Sequence, residues 1–363
     1  MMKNILVVDD SALMRRVLSD IINKDDELHT EYSATDGMEA LEILKKKEFD
    51  AIVLDIIMPK MNGIELLQEM NRLELKPKVI IVSTIARHGA WETIKALELG
   101  AFDFVTKPDS LADIRSKEFA VKLLQRLYLA LELSWNSSKA ELLKSKLMHR
   151  MNEQPVVPGR EHSPKNGVTG SGKLVAIACS TGGPKALQKV IPRLPADLDA
   201  AVLIVQHMPV GFTASLSSRL NELSNMQVKE AEDGETLKKG TVYIARGGSQ
   251  MRLIEKKRRE YNLSVRVEAA RNGLRPCADI MYESLKGTSF DDITCVVLTG
   301  MGADGTKGIL QLEESNKIYV IAQDAESCTV YGMPKAIAES GAVDEIHDLD
   351  QIADAIIKHV GVR

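Results

Sequence analysis

Three polar residues in the C-terminal half of the chain follow short apolar runs that are rich in β-branched residues. Ser180, His207 and Asp304 each come shortly after the end of such a run. Short runs of this kind, separated by helical stretches, are typical of the strands of a parallel sheet. In such a sheet, chemistry collects outside the carboxyl ends of the strands. The sequence therefore predicts that a serine, a histidine and an aspartate meet at one edge, as in an activated-serine hydrolase.

The N-terminal half places a different set of polar residues at the same kind of position. Four strand-like runs there end in Asp9 and Asp10, in Asp55, in Ser83 and Thr84, and in Lys107. Carboxylates from two strand ends are oxygen ligands of the kind that hold Mg²⁺. A lysine and a hydroxyl at neighbouring strand ends can bind a phosphoryl group. The pattern therefore favours phosphoryl transfer to an aspartate, with Asp55 as the acceptor.

Length and composition limit the classes of protein to consider. The 363 residues suit two domains of ordinary size, and 44% hydrophobic residues allow each domain a core. The net charge of −4 does not indicate nucleic-acid binding, and we interpret the basic cluster Lys256–Arg259 as a solvated hairpin tip. The four cysteines are scattered and form no Cys-x-x-Cys pair, so the sequence does not predict a zinc site. Without a signal peptide or a bilayer-spanning run, we expect a cytoplasmic protein with reduced thiols and no membrane insertion.

The elements that must position these residues alternate between strand and helix in both halves. We expect a fifth helix of the first half from about Leu111, helix-compatible sequence over 116–151, and a flexible Pro- and Gly-rich linker over 152–172. Alternation resumes near Lys173, with an antiparallel excursion formed by 240–252 and 263–269. The prediction is an α/β protein with two doubly wound parallel-sheet domains: residues 1–125, a helical extension and linker over 126–172, and residues 173–363.

Ser180 also has a structural interpretation, and a rival nucleophile lies beside it. Ser180 or Thr181 could simply cap a helix, because Pro184 suits a first helical turn. The same helix N-terminus would offer backbone N–H groups to an oxyanion. Cys179 is the rival nucleophile, but strand alternation points it away from Ser180. Position 178 is alanine, so Gly-x-Ser-x-Gly is absent and the site would be a convergent one.

Four motifs of the N-terminal half, Val-Asp-Asp-Ser, Leu-Asp-Ile-Ile-Met-Pro-Lys-Met-Asn-Gly, Val-Ser-Thr and Val-Thr-Lys-Pro, resemble those of bacterial response-regulator receiver domains over residues 3–124. The resemblance implies a flavodoxin-like strand order and phosphorylation of Asp55. It implies Mg²⁺ held by Asp10, Asp55 and the backbone carbonyl of Ile57, with help from Asp9. It also implies that Lys107 pairs with the phosphoryl oxygens and that Ser83 is the switch hydroxyl, with Thr84 as the less favoured register.

The second half carries Ser-Thr-Gly-Gly-Pro, Val-Gln-His-Met-Pro, Val-Tyr-Ile-Ala, Leu-Thr-Gly-Met-Gly-Ala-Asp-Gly, Gln-Asp-Ala-Glu-Ser and Tyr-Gly-Met-Pro. These motifs resemble the catalytic domain of chemotaxis protein-glutamate methylesterases, the CheB family, from about Lys173 to the C-terminus. The resemblance implies Ser180 as nucleophile, His207 as general base and Asp304 as the residue that orients it. Backbone N–H groups of Thr181 and Met301 would face the oxyanion, and this site would need no cofactor.

Three segments depart from the pattern of that family. The family usually has Gly-Ala before the serine, where this chain has Ala178-Cys179. A Pro-Gly-Gly with a nearby histidine is replaced by Arg246–Gln250, and a frequent His-Arg-Pro by Leu274-Arg275-Pro276. None of these changes removes a member of the Ser/His/Asp set. We therefore expect them to affect substrate contacts more than the reaction.

The resemblance implies a phosphorylation-regulated hydrolase that demethylates glutamate methyl esters on chemoreceptors and releases methanol. Some members also deamidate receptor glutamines. The implied partners are the chemoreceptors and a chemotaxis histidine kinase as phosphodonor; we expect a monomer that binds no nucleic acid. The alternative is a response regulator whose C-terminal domain binds a partner without catalysis.

Overall fold

The structure, a computed structural model, describes residues 2–84, 87–108, 117–133, 172–257 and 259–363. The chain divides into two compact units, Met1–Arg160 and Glu161–Arg363. The predicted helix start near Leu111 and nearly all of the predicted linker lie outside the described residues, so the proposed domain boundaries stay predictions. Within the described ranges, no helix combines the length and the apolarity needed to cross a bilayer.

The N-terminal unit is a parallel sheet with α-helices between its strands. Its described elements are β1 (Lys3–Val8), α1 (Ala12–Ile22), β2 (Leu28–His29), β3 (Ser33–Ala34), α2 (Gly37–Leu44), β4 (Ala51–Asp55), α3 (Gly63–Arg72), β5 (Lys78–Ser83), α4 (Arg87–Glu98), β6 (Asp103–Thr106) and α5 (Lys117–Ala130). The strand order is β2-β1-β4-β5-β6, and β3 also pairs with β1. Counting β2 and β3 as one interrupted strand, this is the predicted flavodoxin-like order.

Local sequence explains why the chain turns from strand to helix at the carboxyl edge of this sheet. The side chains of Ser11, Asp36 and Asn62 each accept a hydrogen bond from a backbone N–H in the first turn of α1, α2 and α3. Such N-caps satisfy donors that a helix start leaves unpaired. On one face of the sheet, alternate residues of β1, β4 and β5 pack against apolar residues of α1 and α5. The polar strand ends are left at the edge, outside this core.

The C-terminal unit contains a larger parallel sheet and a two-stranded antiparallel sheet. Its elements are β7 (Lys173–Cys179), α6 (Gly183–Val190), β8 (Ala201–Gln206), α7 (Phe212–Leu223), β9 (Gln227–Glu230), β10 (Thr241–Ile244), β11 (Gln250–Lys257), β12 (Glu260–Arg266), α8 (Ala278–Ser284), β13 (Asp292–Val297), α9 (Thr306–Glu313), β14 (Ile318–Gln323), α10 (Met333–Ser340), β15 (Glu345–His347) and α11 (Ile352–Val360), with short 3₁₀ turns at Ile191–Arg193 and Leu349–Gln351. The main sheet has the order β15-β14-β13-β7-β8-β10-β9, with every strand parallel to its neighbours. The predicted fold class, two parallel-sheet α/β domains with a small antiparallel sheet, is confirmed.

The predicted bounds of the antiparallel excursion are wrong at its N-terminal side. Residues Thr241–Ile244 form β10, which pairs in parallel with both β8 and β9 in the main sheet. The antiparallel pair is β11 with β12, and the basic cluster lies at its turn, as predicted, with residue 258 outside the described chain. Because β9 and β10 follow each other without an intervening helix, the alternation of strand and helix that marks a parallel sheet is interrupted there.

The topology of the main sheet brings β7, β8 and β13 together. Strand β7 lies between β8 and β13, and the chain fills the sheet on the β8 side before it returns to the β13 side. The crevice at such a reversal of strand order is where open α/β sheets bind their ligands. Apolar residues of β7, β8 and β13 are fully buried below this edge, together with the inner faces of β11 and β12. The fold therefore predicts that the ligand-binding crevice lies at the carboxyl ends of β7, β8 and β13.

Candidate active site and phosphoacceptor site

Ser180 lies directly beyond the carboxyl end of β7. Its backbone N–H donates to the carbonyl of Thr299, beyond β13, at 3.0 Å, and its own carbonyl accepts from the Gly183 N–H at 2.8 Å. A Cβ atom at Gly300 would stand only 2.8 Å from Ser180 Cβ, so the neighbouring loop can pass this close only with glycine there. Ser180 is therefore held in place by the loops on both sides while remaining half-buried.

The turn after Ser180 begins α6 without a side-chain cap. Gly182 occupies the N-cap with a φ of 79°, no side chain caps the helix, and Pro184 lies in its first turn. The alternative that Ser180 or Thr181 serves as a helix cap is therefore wrong. Ser180 and Thr181 precede a helix N-terminus, which carries a partial positive charge that favours an anion.

His207 and Asp304 are joined directly. His207 Nε2 lies 2.7 Å from Asp304 Oδ2, and both side chains are largely buried. His207 follows β8, and its backbone N–H donates to the carbonyl of Cys179 at the end of β7 at 3.2 Å. Since Cys179 pairs with Gln206 across the two strands, Ser180 and His207 are the next residues along the same register. The sheet thus brings the three predicted residues to one edge.

A second helix N-terminus holds Asp304 as a carboxylate. The backbone N–H groups of Ala278 and Asp279, at the start of α8, donate to Asp304 at 2.6 and 3.0 Å, and the Cys277 thiol donates at 3.1 Å. Burial raises the pKa of Asp304, but the hydrogen bond and charge of His207 and these N–H groups outweigh it and lower the pKa to about 2. Asp304 is therefore ionised at neutral pH and can stabilise a protonated His207.

Asp279, on α8, accepts hydrogen bonds from the start of α9 in the same way as Asp304, which precedes α9, accepts them from the start of α8. Its Oδ1 accepts hydrogen bonds from the N–H groups of Gly305 and Gly308, at the start of α9, at 3.0 and 2.8 Å. Burial raises the pKa of Asp279, and the nearby Asp304 carboxylate raises it further. Helices α8 and α9 thus cap each other through two aspartates. Asp279 was not among the predicted site residues, although an aspartate in a first helical turn was a visible signal.

The low pKa of Asp304 predicts a pH-dependent contribution to stability. A folded-state pKa below the unfolded value means that the contribution is complete above about pH 4–5 and is lost as the pH falls towards 2. We expect the free energy of unfolding lost in Asp304→Asn to shrink by about 2–3 kcal/mol between pH 6 and pH 2. Chemical denaturation of both proteins over this range measures the difference. A loss that stays constant with pH would contradict the assignment of the low pKa.

Cys179, the rival nucleophile, is fully buried at the end of β7. Its thiol donates to Gln206 Oε1 at 3.0 Å, and burial raises its pKa above the ordinary value. A buried thiol with a raised pKa carries little of the thiolate that acts as a nucleophile. The structure therefore favours Ser180 over Cys179.

The other departures from the family pattern also have partners in the structure. Arg246 Nε lies 3.1 Å from Glu230 Oε2 beside the end of β10. The carboxamide of Gln250 is fully buried; its nitrogen donates to the carbonyl of Leu274 at 3.1 Å, and its oxygen accepts from the Cys277 N–H at 2.9 Å. Gln250 thus fixes the loop that leads into α8, whose first N–H groups hold Asp304.

Thr181 and Met301, predicted to supply the oxyanion donors, lie on the loops that follow β7 and β13. Thr181 is buried and Met301 is exposed. Both loops flank Ser180, because Thr299 and Gly300 contact it from the β13 side. The positions suit the predicted role, which stays a prediction.

Asp9, Asp55 and Lys107 meet at the carboxyl edge of the N-terminal sheet. Lys107 Nζ lies 2.6 Å from Asp55 Oδ2 and 2.7 Å from Asp9 Oδ2. Burial raises the pKa of Asp55, only partly offset by Lys107. Burial lowers the pKa of Lys107, but the charges of Asp55 and Asp9 outweigh it, so that the pKa is raised. The predicted acceptor and the predicted phosphoryl-binding lysine are thus in direct contact.

The acidic cluster fits a hard divalent cation. One carboxylate oxygen from each of Asp9, Asp10 and Asp55 lies within 4.8 Å of the others. Asp9 Oδ2 is buried and has no hydrogen-bond partner of normal geometry, despite the nearby lysine. Carboxylate oxygens with unused lone pairs are the ligands that Mg²⁺ prefers. Ile57, the predicted source of a backbone ligand, follows Asp55 by two residues, and its N–H donates to Asp55 Oδ1 at 3.4 Å.

Ser83 and Thr84 lie at the end of the neighbouring strand β5. Ser83 is buried and its hydroxyl donates to the carbonyl of Gly89 at 3.2 Å, whereas Thr84 is exposed. A Cβ at Gly89 would approach Thr84 Oγ1 to 2.6 Å. Ser83 is therefore tied to the start of α4, as a hydroxyl that changes partner with phosphorylation would be, and it remains the favoured switch residue.

Both units match known families. Residues 175–356 match the family described as CheB methylesterase, and residues 5–117 match the response regulator receiver domain. A protein-glutamate methylesterase/protein-glutamine glutaminase of Syntrophomonas wolfei is 42% identical over 98% of this chain and 98% of its own. A protein of the same name from Bacillus subtilis is 40% identical, again over 98% of both chains.

A solved structure is also similar. The CheB methylesterase catalytic domain of Thermotoga maritima is 39% identical, with a TM-score of 0.50, and its match covers 53% of this chain and 100% of that domain. The two family matches, the full-length relatives and the arrangement of Ser180, His207 and Asp304 agree with one another. The chain therefore belongs to the CheB methylesterase family, with a response-regulator receiver domain in its N-terminal unit.

Proposed function

We propose that Ser180, His207 and Asp304 perform the ester hydrolysis for which the family of this chain is named. The observation that carries the proposal is the 2.7 Å contact between His207 Nε2 and Asp304 Oδ2, one strand away from Ser180. Because Nε2 is engaged by Asp304, Nδ1 is the ring nitrogen left to take a proton from Ser180 Oγ. Asp304 stays ionised and stabilises the imidazolium that forms.

The reaction proceeds by two acyl transfers. Ser180 Oγ attacks the ester carbonyl carbon and its proton passes to His207; the tetrahedral oxyanion is stabilised by the backbone N–H groups of Thr181 and Met301. The C–O bond to methanol then breaks, and methanol leaves with the proton from His207. Water attacks the acyl-serine, again with His207 as base, and releases the carboxylate. Ser180 recovers its proton from His207.

The substrate that fits this chemistry is a γ-glutamyl methyl ester on the cytoplasmic part of a chemoreceptor. The relatives are named for a methylesterase and a glutaminase. The same acyl-enzyme forms from a glutamine amide with ammonia as the leaving group, and we include deamidation of receptor glutamines in the proposal. The chemistry needs no cofactor at this site. We place the protein in the cytoplasm, as a monomer.

The N-terminal unit is proposed to take a phosphoryl group on Asp55 from a chemotaxis histidine kinase. Asp10, Asp55 and the carbonyl of Ile57 would hold Mg²⁺, with Asp9 beside them; the ion, when bound, offsets the charge of the phosphoryl oxygens. Lys107, which bridges Asp55 and Asp9, is placed to pair with the new phosphoryl oxygens. Ser83 would then turn from Gly89 towards the phosphoryl group.

Methanol release from methylated receptor membranes, with and without a small phosphodonor, tests the proposal. A fluorophosphonate probe tests the chemistry separately, because it labels only an activated serine. If the chain is an enzyme, the probe should label Ser180. If it is a response regulator whose C-terminal unit only binds a partner, Ser180 should stay unlabelled. The close His207–Asp304 pair and the low pKa of Asp304 favour the enzyme.

We expect the unphosphorylated N-terminal unit to lower the activity of the C-terminal unit. A fragment of residues 173–363 should hydrolyse ester about a hundredfold faster than the unphosphorylated chain, a difference of about 3 kcal/mol in a two-state equilibrium. The fragment should not respond to a phosphodonor. The full chain, once the phosphodonor is added, should approach the rate of the fragment. The Thermotoga maritima domain of the same extent supports the use of this fragment. Equal rates of the fragment and the unphosphorylated chain would contradict inhibition by the receiver.

A further inference from the structure

The strands that carry Ser180 and His207 are joined by one buried side chain that the reaction itself does not use. Gln206 is the last residue of β8 and is 2% exposed. Its Nε2 donates to the carbonyl of Ser180 at 3.0 Å and to the carbonyl of His207 at 3.2 Å. One amide group therefore contacts the backbones of both the proposed nucleophile and the proposed base.

The hydrogen-bond partners of Gln206 fix the orientation of its amide. The Cys179 thiol donates to Gln206 Oε1 at 3.0 Å. A thiol is a donor and two carbonyls are acceptors, so the partners match one carboxamide oxygen and the two N–H bonds of its nitrogen. Reversing the amide would place the oxygen against two carbonyl oxygens. The two carbonyls thus select the orientation that ties the two loops together, and Cys179, one of the departures from the family pattern, supplies a donor that matches it.

The start of α6 leaves room for this bridge. A Cβ atom at Gly183 would stand 1.9 Å from Gln206 Oε1 and 3.1 Å from Cys179 Cβ. The Gly183 N–H donates to the Ser180 carbonyl, the same carbonyl that Gln206 Nε2 contacts. The amide therefore lies beneath the helix start that follows Ser180, in a space that any other residue at position 183 would fill.

We propose that Gln206 is a positioning residue for the reaction, which sets the separation between Ser180 and His207 by bridging their backbones, with the Cys179 thiol as a further partner of its amide. Proton transfer from Ser180 Oγ requires a hydrogen-bond distance to the base, and a misplacement of about 1 Å can lower a rate about a hundredfold. Gln206 is itself buried, and its hydrogen bonds to Ser180 and His207 go to their backbone carbonyls rather than to the reacting side chains. Its loss should therefore lower kcat and leave KM nearly unchanged. This inference rests on the proposed function of Ser180 and His207.

The test replaces Gln206 in the full chain by methionine and by glutamate. Gln206→Met keeps the side-chain volume but loses both donors, whereas Gln206→Glu keeps the shape and turns carboxylate oxygens towards the two carbonyls. We expect both to reduce kcat for ester hydrolysis, and the rate of fluorophosphonate labelling at Ser180, by about a hundredfold, with KM within about twofold of wild type. Cys179→Ser, which keeps a donor to the amide oxygen, should stay within a few-fold of wild type.

Tyr243→Phe is the matched control for a loss of stability alone. The Tyr243 hydroxyl is also buried and also bridges two backbone groups, the N–H of Lys238 at 3.0 Å and the carbonyl of Thr236 at 3.4 Å, but it precedes the carboxyl edge of the sheet. Below the melting temperature of every variant, we expect Tyr243→Phe to label at the wild-type rate.

Two outcomes separate the inference from the proposed function. Labelling of wild type and Gln206→Met at equal rates, or equal losses in Gln206→Met and Tyr243→Phe, would overturn the positioning role alone. A wild-type chain that is not labelled at Ser180 would overturn the proposed function, and the positioning role with it.

Discussion

Ser180→Ala should abolish ester hydrolysis, with a fall in kcat of at least about 10⁴-fold. The variant loses the atom that bonds to the acyl group, so that His207 and the oxyanion donors have no nucleophile to assist. The fold should remain, because the hydrogen bonds that hold position 180 are made by its backbone to Thr299, Gly183 and Gln206. Methanol release measures kcat, and thermal melting confirms that the protein is folded.

His207→Ala should be about as severe as Ser180→Ala, and the double variant no worse than either, because nucleophile and base act as one unit. Ser340→Ala is the matched control, since Ser340 lies at the end of α10 and its hydroxyl donates to the Ile337 carbonyl and accepts from the Ala342 N–H, both close to it in sequence. Near-wild-type turnover in Ser180→Ala would refute the assignment. Loss of activity in Cys179→Ala with full activity in Ser180→Ala would make the thiol the nucleophile.

The candidate site was predictable because the carboxyl ends of all strands in a parallel sheet lie at the same edge. A polar residue that follows a buried strand is therefore close to the polar residue that follows its neighbour, whatever their separation in sequence. Ser180 and His207 follow adjacent strands, and Asp304 follows a strand on the other side of β7. The same reasoning brought Asp9, Asp55 and Lys107 together in the N-terminal unit.

The residues that hold this site in place were not predictable in the same way. Gln206, Gln250 and Asp279 act through backbone groups of loops whose conformation depends on tertiary packing. A buried glutamine in sequence shows neither its partners nor the orientation of its amide, since these follow from the neighbouring donors and acceptors. The places of these residues, at the end of β8, at the start of β11 and in the first turn of α8, were visible in sequence, but their roles were not.

The places of short strands in the sheets were also not predictable from the sequence. The interrupted strand formed by Leu28–His29 and Ser33–Ala34 supplies two residues at a time, too few for a periodic pattern. Thr241–Ile244 was assigned to the antiparallel excursion because it lies in sequence next to the true hairpin, whereas its buried residues pair with β8 and β9. In both cases the pairing partner, rather than the strand itself, determines where the segment belongs.

Asp55→Ala should take up no acid-labile phosphate from a small phosphodonor, whereas the wild-type chain should be labelled only when Mg²⁺ is present. Asp9, Asp10 and Asp55 place three carboxylates within 4.8 Å, with Lys107 as the cation that contacts two of them. An anionic donor therefore meets a net negative site, and a divalent cation is needed to offset the repulsion. Intact-protein mass spectrometry detects the phosphoryl group, and treatment with acid or hydroxylamine identifies it as an acyl phosphate.

Asp20→Ala is the matched control, because Asp20 is an exposed aspartate on α1 of the same unit and lies away from the strand ends. It should be phosphorylated like the wild type, and Asp10→Ala should be phosphorylated poorly at any Mg²⁺ concentration that saturates the wild type. Label that persists in Asp55→Ala would move the acceptor to another residue. Label that forms in wild type without a divalent cation would show that Lys107 alone neutralises the incoming phosphoryl group, and the cluster of three carboxylates would then need a different explanation.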